Sequence, residues 1–249
     1  MNKSFILSAA LFASSLSVSA QSTPRNQLTP TPPMGWMTWN LFQGDISDKL
    51  IRETADAMVE GGYVDAGYKY IFIDDLWQGG RDVHNNMIPD PKKFPNGIKA
   101  LADYVHSKGM KLGIYSDAAQ LTCGGWTASL GFEEQDARTF ASWGIDYLKY
   151  DYCNAPIDSA TARQRYRTMA DALSKSGRDI ALGICEWGQR QCEEWCEEVG
   201  GQLWRTTYDV RDMWKDVTNE GGMGILDIVN ITSPLSSYAR KGQWPDMDM

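Results

Sequence analysis

Five times between residues 47 and 209 the sequence runs through one succession: an amphipathic helix, a glycine, a continuous apolar run and a carboxylate. No other feature of the chain restricts its fold as strongly. Ser47 to Glu60 carries apolar residues at 51, 55, 58 and 59, the spacing of one helix face, and Gly61-Gly62 stops it. Tyr70-Ile71-Phe72-Ile73 follows and ends in Asp74-Asp75. Ile98, Leu101 and Val105 mark the next helix, Gly109 ends it, and Leu112 to Tyr115 runs on to Asp117. Phe132 to Trp143 reads as helix, Gly144 as its terminator, and Ile145 to Tyr150 as the strand leading to Asp151. A helix from Ala160 to Ser176 precedes Gly177 and the strand Ile180 to Cys185, which ends at Glu186. A cysteine-bearing helix around Glu193 to Val199 meets Gly200-Gly201, then Leu203 to Tyr208 and Asp209. Pro32 to Trp39 supplies a first strand, and Trp244 to Met249 is where a seventh begins.

Continuous apolar runs alternating with helices are parallel strands buried on both faces and joined by helical crossovers. Two α/β architectures use them. A doubly wound sheet places its chemistry at one switch point and usually carries a glycine-rich phosphate loop. No GxGxxG or GxxxxGK[ST] follows any strand here. An acid or an aromatic ends almost every strand instead, which is how a (β/α)8 TIM barrel assembles a site from many strands. The expected fold is therefore an incomplete TIM barrel with about seven of its eight strands, truncated before the final βα unit.

Composition narrows the setting. A hydrophobic content of 43% supports a large core, and a formal charge of −8 with no basic stripe argues against nucleic acid as partner. Residues 1–20 read as a secretory signal: Lys3, an apolar run from Phe5 to Val18, and the small-residue site Val18-Ser19-Ala20. The mature chain should then be secreted or periplasmic, with a flexible lead-in over 21–31, the catalytic barrel over 32–249, and no membrane span. Export permits disulfides, and five cysteines leave at least one unpaired. No CxxC pair occurs and neither histidine lies near a cysteine, so no metal is expected.

The strand ends bring Asp74, Asp75, Asp117, Asp151, Glu186, Asp209 and Asp248 toward one mouth. Acids this crowded need hydrogen-bond donors or a polyol ligand. Period two sets Lys149 on the same strand face as Asp151, and Arg205 with Asp209 if that strand stays regular. A carboxylate beside an ammonium stays charged, as a nucleophile must. Asp74 and Asp75, being adjacent, point to opposite faces unless the backbone bends, which makes a poor chelate. Trp36, Trp39, Trp77, Trp126, Trp187 and Trp204 lie at or beyond strands, where flat rings suit sugars, although core filling is an equal use for any one of them.

Six segments then resemble the retaining α-galactosidases and α-N-acetylgalactosaminidases of glycoside hydrolase family 27. They are Pro33-Met34-Gly35-Trp36-Met37-Thr38-Trp39-Asn40, Ile73-Asp74-Asp75-Leu76-Trp77, the stretch from Tyr104 to Asp117, Tyr147 to Cys153, Cys185-Glu186-Trp187-Gly188, and Trp204 to Asp209, in family order. The resemblance implies retaining hydrolysis of terminal α-galactosyl residues with no cofactor, Asp151 as nucleophile and Asp209 as acid/base. Retention requires two such carboxyls ~5–5.5 Å apart. It also implies a sugar pocket drawn from Trp39, Asp74, Asp75, Tyr115, Lys149, Glu186, Trp187, Arg205 and Asp248. Asp74 and Asp75 would receive the 4- and 6-hydroxyls, and Cys123 would pair with Cys153. The chain departs from the family at Leu76, where a cysteine is common, and at Trp244 to Met249, where Pro245 and Met247 are unusual. Cys192 and Cys196 match no family position, and a bridge between them would need distortion. The C-terminal β-sandwich usual in the family is missing. Related readings are an α-N-acetylgalactosaminidase, a β-L-arabinopyranosidase, an isomaltodextran-cleaving relative, or an inactive sugar-binding fragment.

Overall fold

The structure, a computed structural model, describes residues 24–216 and 222–248. In chain order the elements are β1 (Gly35–Met37), α1 (Trp39–Phe42), α2 (Asp48–Glu60), β2 (Tyr70–Ile73), β3 (Gln78–Arg81), β4 (Met87–Pro89), α3 (Gly97–Ser107), β5 (Lys111–Asp117), α4 (Glu133–Trp143), β6 (Tyr147–Asp151), α5 (Ser159–Ser174), β7 (Ala181–Cys185), α6 (Cys192–Val199), β8 (Leu203–Arg205), α7 (Ile225–Thr232) and β9 (Trp244–Asp246). Seven strands form one sheet in the order β1-β2-β5-β6-β7-β8-β9, with every pair parallel. Neighbours in sequence are neighbours in space, as in a barrel wall, and β1 and β9 are left as its two edges. The expected incomplete barrel is the observed one.

Local chemistry sets the helix ends. Ser47 Oγ accepts the Leu50 amide at 3.2 Å to open α2, and Asp158 Oδ1 accepts that of Thr161 at 2.8 Å to open α5. Outward strand residues such as Ile71, Ile73, Leu148, Leu182, Ile184 and Trp204 join the helices in the main core. The inward positions of the same strands build a separate aromatic floor of Tyr70, Tyr147, Ala181 and Leu203, with Leu28, Phe72 and Trp244 against it. Two strand glycines make room for it. A Cβ at Gly183 would run into the Tyr147 hydroxyl, and one at Gly113 into the Phe72 ring.

Several elements differ from expectation. The first strand stops at Met37 because Thr38 turns the chain: its amide donates to Phe72 O at 3.2 Å and its hydroxyl accepts the Asp74 amide at 3.0 Å. β8 ends at Arg205, short of Tyr208. The antiparallel pair β3–β4, α7 and the 3-10 turn Ser233–Tyr238 are additions that the repeating pattern did not reveal. The signal-peptide reading of residues 1–20 lies outside the described residues. Residues 24–31, read as a flexible lead-in, are tied to the barrel floor instead. Arg25 Nε donates to Gly200 O at 2.7 Å, Thr29 O accepts Trp244 Nε1 at 2.8 Å, and Leu28 packs on the floor aromatics. Among the described residues no helix is long and apolar enough to cross a membrane.

Candidate active site

Above the aromatic floor, the C-terminal ends of the strands enclose a cavity of about 230 Å³. Eight of the residues expected in a site line it: Trp39, Asp74, Asp75, Tyr115, Lys149, Asp151, Trp187 and Asp209. Cys123 and Tyr208 complete the wall. The sequence marks Cys123 only as a disulfide partner, and Tyr208, at the end of a short apolar run, carries no signal separating a pocket wall from a strand end.

Asp74 and Asp75 reach the same cavity because the strand ends before them. Leu76 has φ +73°, a left-handed conformation that a leucine rarely adopts, and the chain folds back around the two acids. Asp74 Oδ1 accepts the Asp75 amide and Asp75 Oδ1 the Leu76 amide, both at 2.7 Å, while Asp75 Oδ2 takes Gly124 N–H at 2.7 Å. Burial pushes the Asp75 carboxyl up against those donors.

Lys149 was expected to serve Asp151. Its ammonium instead contacts Asp74 Oδ2 at 2.8 Å and reaches Asp151 only as a nearby charge. Burial opposes the Lys149 charge, but Asp74 and its neighbouring acids more than offset this and hold the ammonium well above its usual range. Removing this cation would leave Asp74 charged and buried without its partner.

Asp151 is buried, with Oδ1 accepting the Tyr152 amide at 2.9 Å and Oδ2 the Tyr115 hydroxyl at 3.1 Å. Burial raises the Tyr115 phenol, so it stays a neutral donor. Asp117 lies directly beside Asp151 in the β5–β6 register and is wholly buried under the cavity. Burial raises both acids. Asp151 is pulled back by Lys149 and its donors, whereas Asp117 is pushed further by the Asp151 charge. The pair titrates as a unit. Cys123 and Cys153 are joined, as the resemblance implied, with Cα atoms 5.1 Å apart. Their ligand atoms and those of Asp117 and Asp151 lie within 4.8 Å of one another, but a disulfide has no thiolate to offer a metal.

Three expected residues do not line the cavity. Arg205, almost fully buried behind it, bonds Asp209 Oδ1 at 2.9 Å and Asp248 Oδ1 at 2.7 Å. Asp248 also accepts the Val210 amide at 2.7 Å. Glu186 is buried against Arg190, and its desolvation raises the carboxyl to about 7. Of the six strand-end tryptophans, Trp39 and Trp187 line the cavity. Trp77 and Trp204 are core, Trp36 packs on the core, and Trp126 is exposed. Cys185, Cys192 and Cys196 are buried and free.

Six buried acids (Asp75, Asp117, Asp136, Asp151, Glu186 and Asp248) bind a proton more tightly in the folded chain than in the unfolded one, through desolvation in each case. Folding therefore takes up protons between the ordinary carboxylate value and the raised ones. The stability tied to these acids is full below the ordinary value and is lost as pH rises through the raised values, that of Glu186 lying near 7. The melting temperature, followed by calorimetry, should fall between about pH 5 and about pH 8. A rise over that interval would show that these acids are not held protonated.

The fold and site define an incomplete α/β barrel whose strand ends converge on carboxylates, a lysine and two tryptophans. Residues 31–249 match the melibiase family described as alpha galactosidase A, and the chain belongs to that family. It is 48% identical over 253 residues to alpha-galactosidase A of Cellvibrio japonicus, covering all of this chain and 62% of that protein. Alpha-galactosidase I of Mortierella vinacea superposes with a TM-score of 0.86 at 39% identity, covering 91% of this chain and 61% of that one. The alpha-galactosidase of Saccharomyces cerevisiae solved with raffinose gives 0.86 at 36% identity, over 91% and 54% of the two chains. The chain thus spans less than two thirds of the length of these relatives.

Proposed function

We propose that residues 32–249 supply the catalytic barrel of a retaining α-galactosidase, which removes terminal α-D-galactosyl residues from oligosaccharides or polysaccharides. The observation carrying this reading is the placement of Asp151 and Asp209 on one cavity of about 230 Å³. That volume lies below the ~300–1,000 Å³ of drug-sized ligand sites and suits a single sugar ring. A site of that size acts on chain ends.

Asp151, ionised, attacks the anomeric carbon from the face opposite the leaving oxygen. A C1–O bond to the carboxylate forms as the glycosidic C1–O bond breaks, and Asp209 gives its proton to the departing oxygen. Water then attacks C1, Asp209 takes the water's proton, and the bond to Asp151 breaks with net retention. Arg205, between Asp209 and Asp248, orients the acid/base. Asp74 and Asp75 accept sugar hydroxyls, and their fixed backbone bonds favour the axial 4-hydroxyl of galactose over the equatorial one of glucose. Glu186 and Asp248 act from behind the cavity wall. The leader over residues 1–20 directs export, a reading the Cys123–Cys153 bridge supports because disulfides persist in oxidising compartments.

The test is nitrophenol release from aryl α-galactoside by the full chain, set beside the α-glucoside, the α-N-acetylgalactosaminide and the β-L-arabinopyranoside. Preference for the α-galactoside by ~100-fold or more in kcat/KM supports the reading. Absence of release, or preference for another of the four, overturns it.

A further inference from the structure

Beneath the two cavity carboxylates lies a buried thiol that the reaction as described does not use. Cys185 ends β7, and the parallel register sets it beside Asp151 of β6. It is 1% exposed and unbridged. Burial pushes its thiol well up, so the sulfur keeps its proton. A neutral thiol has one proton to donate and a sulfur that accepts. The register neighbour of this protonated sulfur is the Asp151 carboxylate, and a donor to the charged form of an acid favours its ionisation. The sulfur accepts from Arg205 Nη1 at 3.6 Å, and Arg205 Nη2 reaches Asp209 Oδ1 at 2.9 Å. Arg205 thus ties Asp209 to Cys185, and Cys185 stands beside Asp151 on the neighbouring strand.

We propose that Cys185 is a positioning residue that sets the Asp151 carboxylate relative to Asp209, donating its proton to Asp151 while its sulfur rests on Arg205. The inference rests on Asp151 and Asp209 being the reacting pair. No bond to sulfur forms or breaks. The thiol restricts how the carboxylate can rotate between its other donors, Tyr115 and the Tyr152 amide. Without it Asp151 binds a proton more readily and loses one constraint on its orientation.

The experiment compares Cys185→Ala and Cys185→Ser with the parent full chain, following the pH profile of kcat/KM on aryl α-galactoside. Cys185→Ala should move the acid limb to higher pH by roughly half a unit or more and lower kcat about three- to tenfold, with KM nearly unchanged. Cys185→Ser, which restores a donor, should return the limb to the parent position or below it. A limb that stays put in Cys185→Ala, or fails to return in Cys185→Ser, overturns the inference, because a merely structural cysteine would change melting temperature alone. If the parent chain hydrolyses nothing, the reading of activity fails separately. The infrared S–H stretch then decides for Cys185: it should rise in Asp151→Ala if the thiol donates to that carboxylate, and an unmoved band overturns the proposal.

Discussion

Asp151→Ala should lower kcat on aryl α-galactoside by at least ~10³-fold, since no neighbouring group can replace a nucleophile that forms the covalent intermediate. The cavity geometry makes the result interpretable. The substitution removes one acid from a buried cluster and relieves the charge that pushes Asp117 upward, so the fold has little reason to fail. The lost carboxylate also leaves room on the face opposite the leaving group. Added azide should fill it and give β-galactosyl azide, a product of inverted configuration. Activity unchanged by Asp151→Ala, or an α-configured azide product, would remove this residue from the nucleophile's role.

For Asp209→Ala the expected loss is about 10²–10⁴-fold and depends on the leaving group. A dinitrophenolate departs without a proton, so the first step should proceed and the covalent intermediate should accumulate as a burst. A sugar leaving group needs the proton and should lose the full amount. Azide entering on the intermediate should restore turnover and yield the α-configured product, the opposite of the Asp151 variant. Arg205 keeps Asp248 at 2.7 Å when Asp209 is gone, so the guanidinium is not stranded and the loss reports on chemistry. Equal losses for good and poor leaving groups would sink the acid/base assignment.

Much of this molecule was readable in the chain because its signals are local. Helix faces at 51, 55 and 58, or at 98, 101 and 105, need only the 3.6-residue period and are buried as expected, whereas Val59, read onto the first of these faces, is exposed. The run from Tyr147 to Asp151 gave its two faces by alternation: Leu148 and Tyr150 pack with the helices, while Lys149 and Asp151 reach the cavity. The segments that escaped notice lack that regularity. β3 and β4 are short and antiparallel, and the sequence before α7 lacks the helix-glycine-strand cadence.

The contribution of the sequence alone was the order of βα units, the family, and which acids stand at strand ends. These follow from periodicity and from motifs in which each residue is counted from its neighbour. Partner choice was decided by the tertiary structure. Lys149 sits two residues from Asp151 yet bonds Asp74, 75 positions away, and Leu76 takes a left-handed turn so that both of its preceding acids face one cavity. Glu186 and Asp117 stand at strand ends like the other acids but are sealed beneath the wall. Such outcomes depend on distances across strands, where desolvation and a single hydrogen bond outweigh anything spacing along the chain can express.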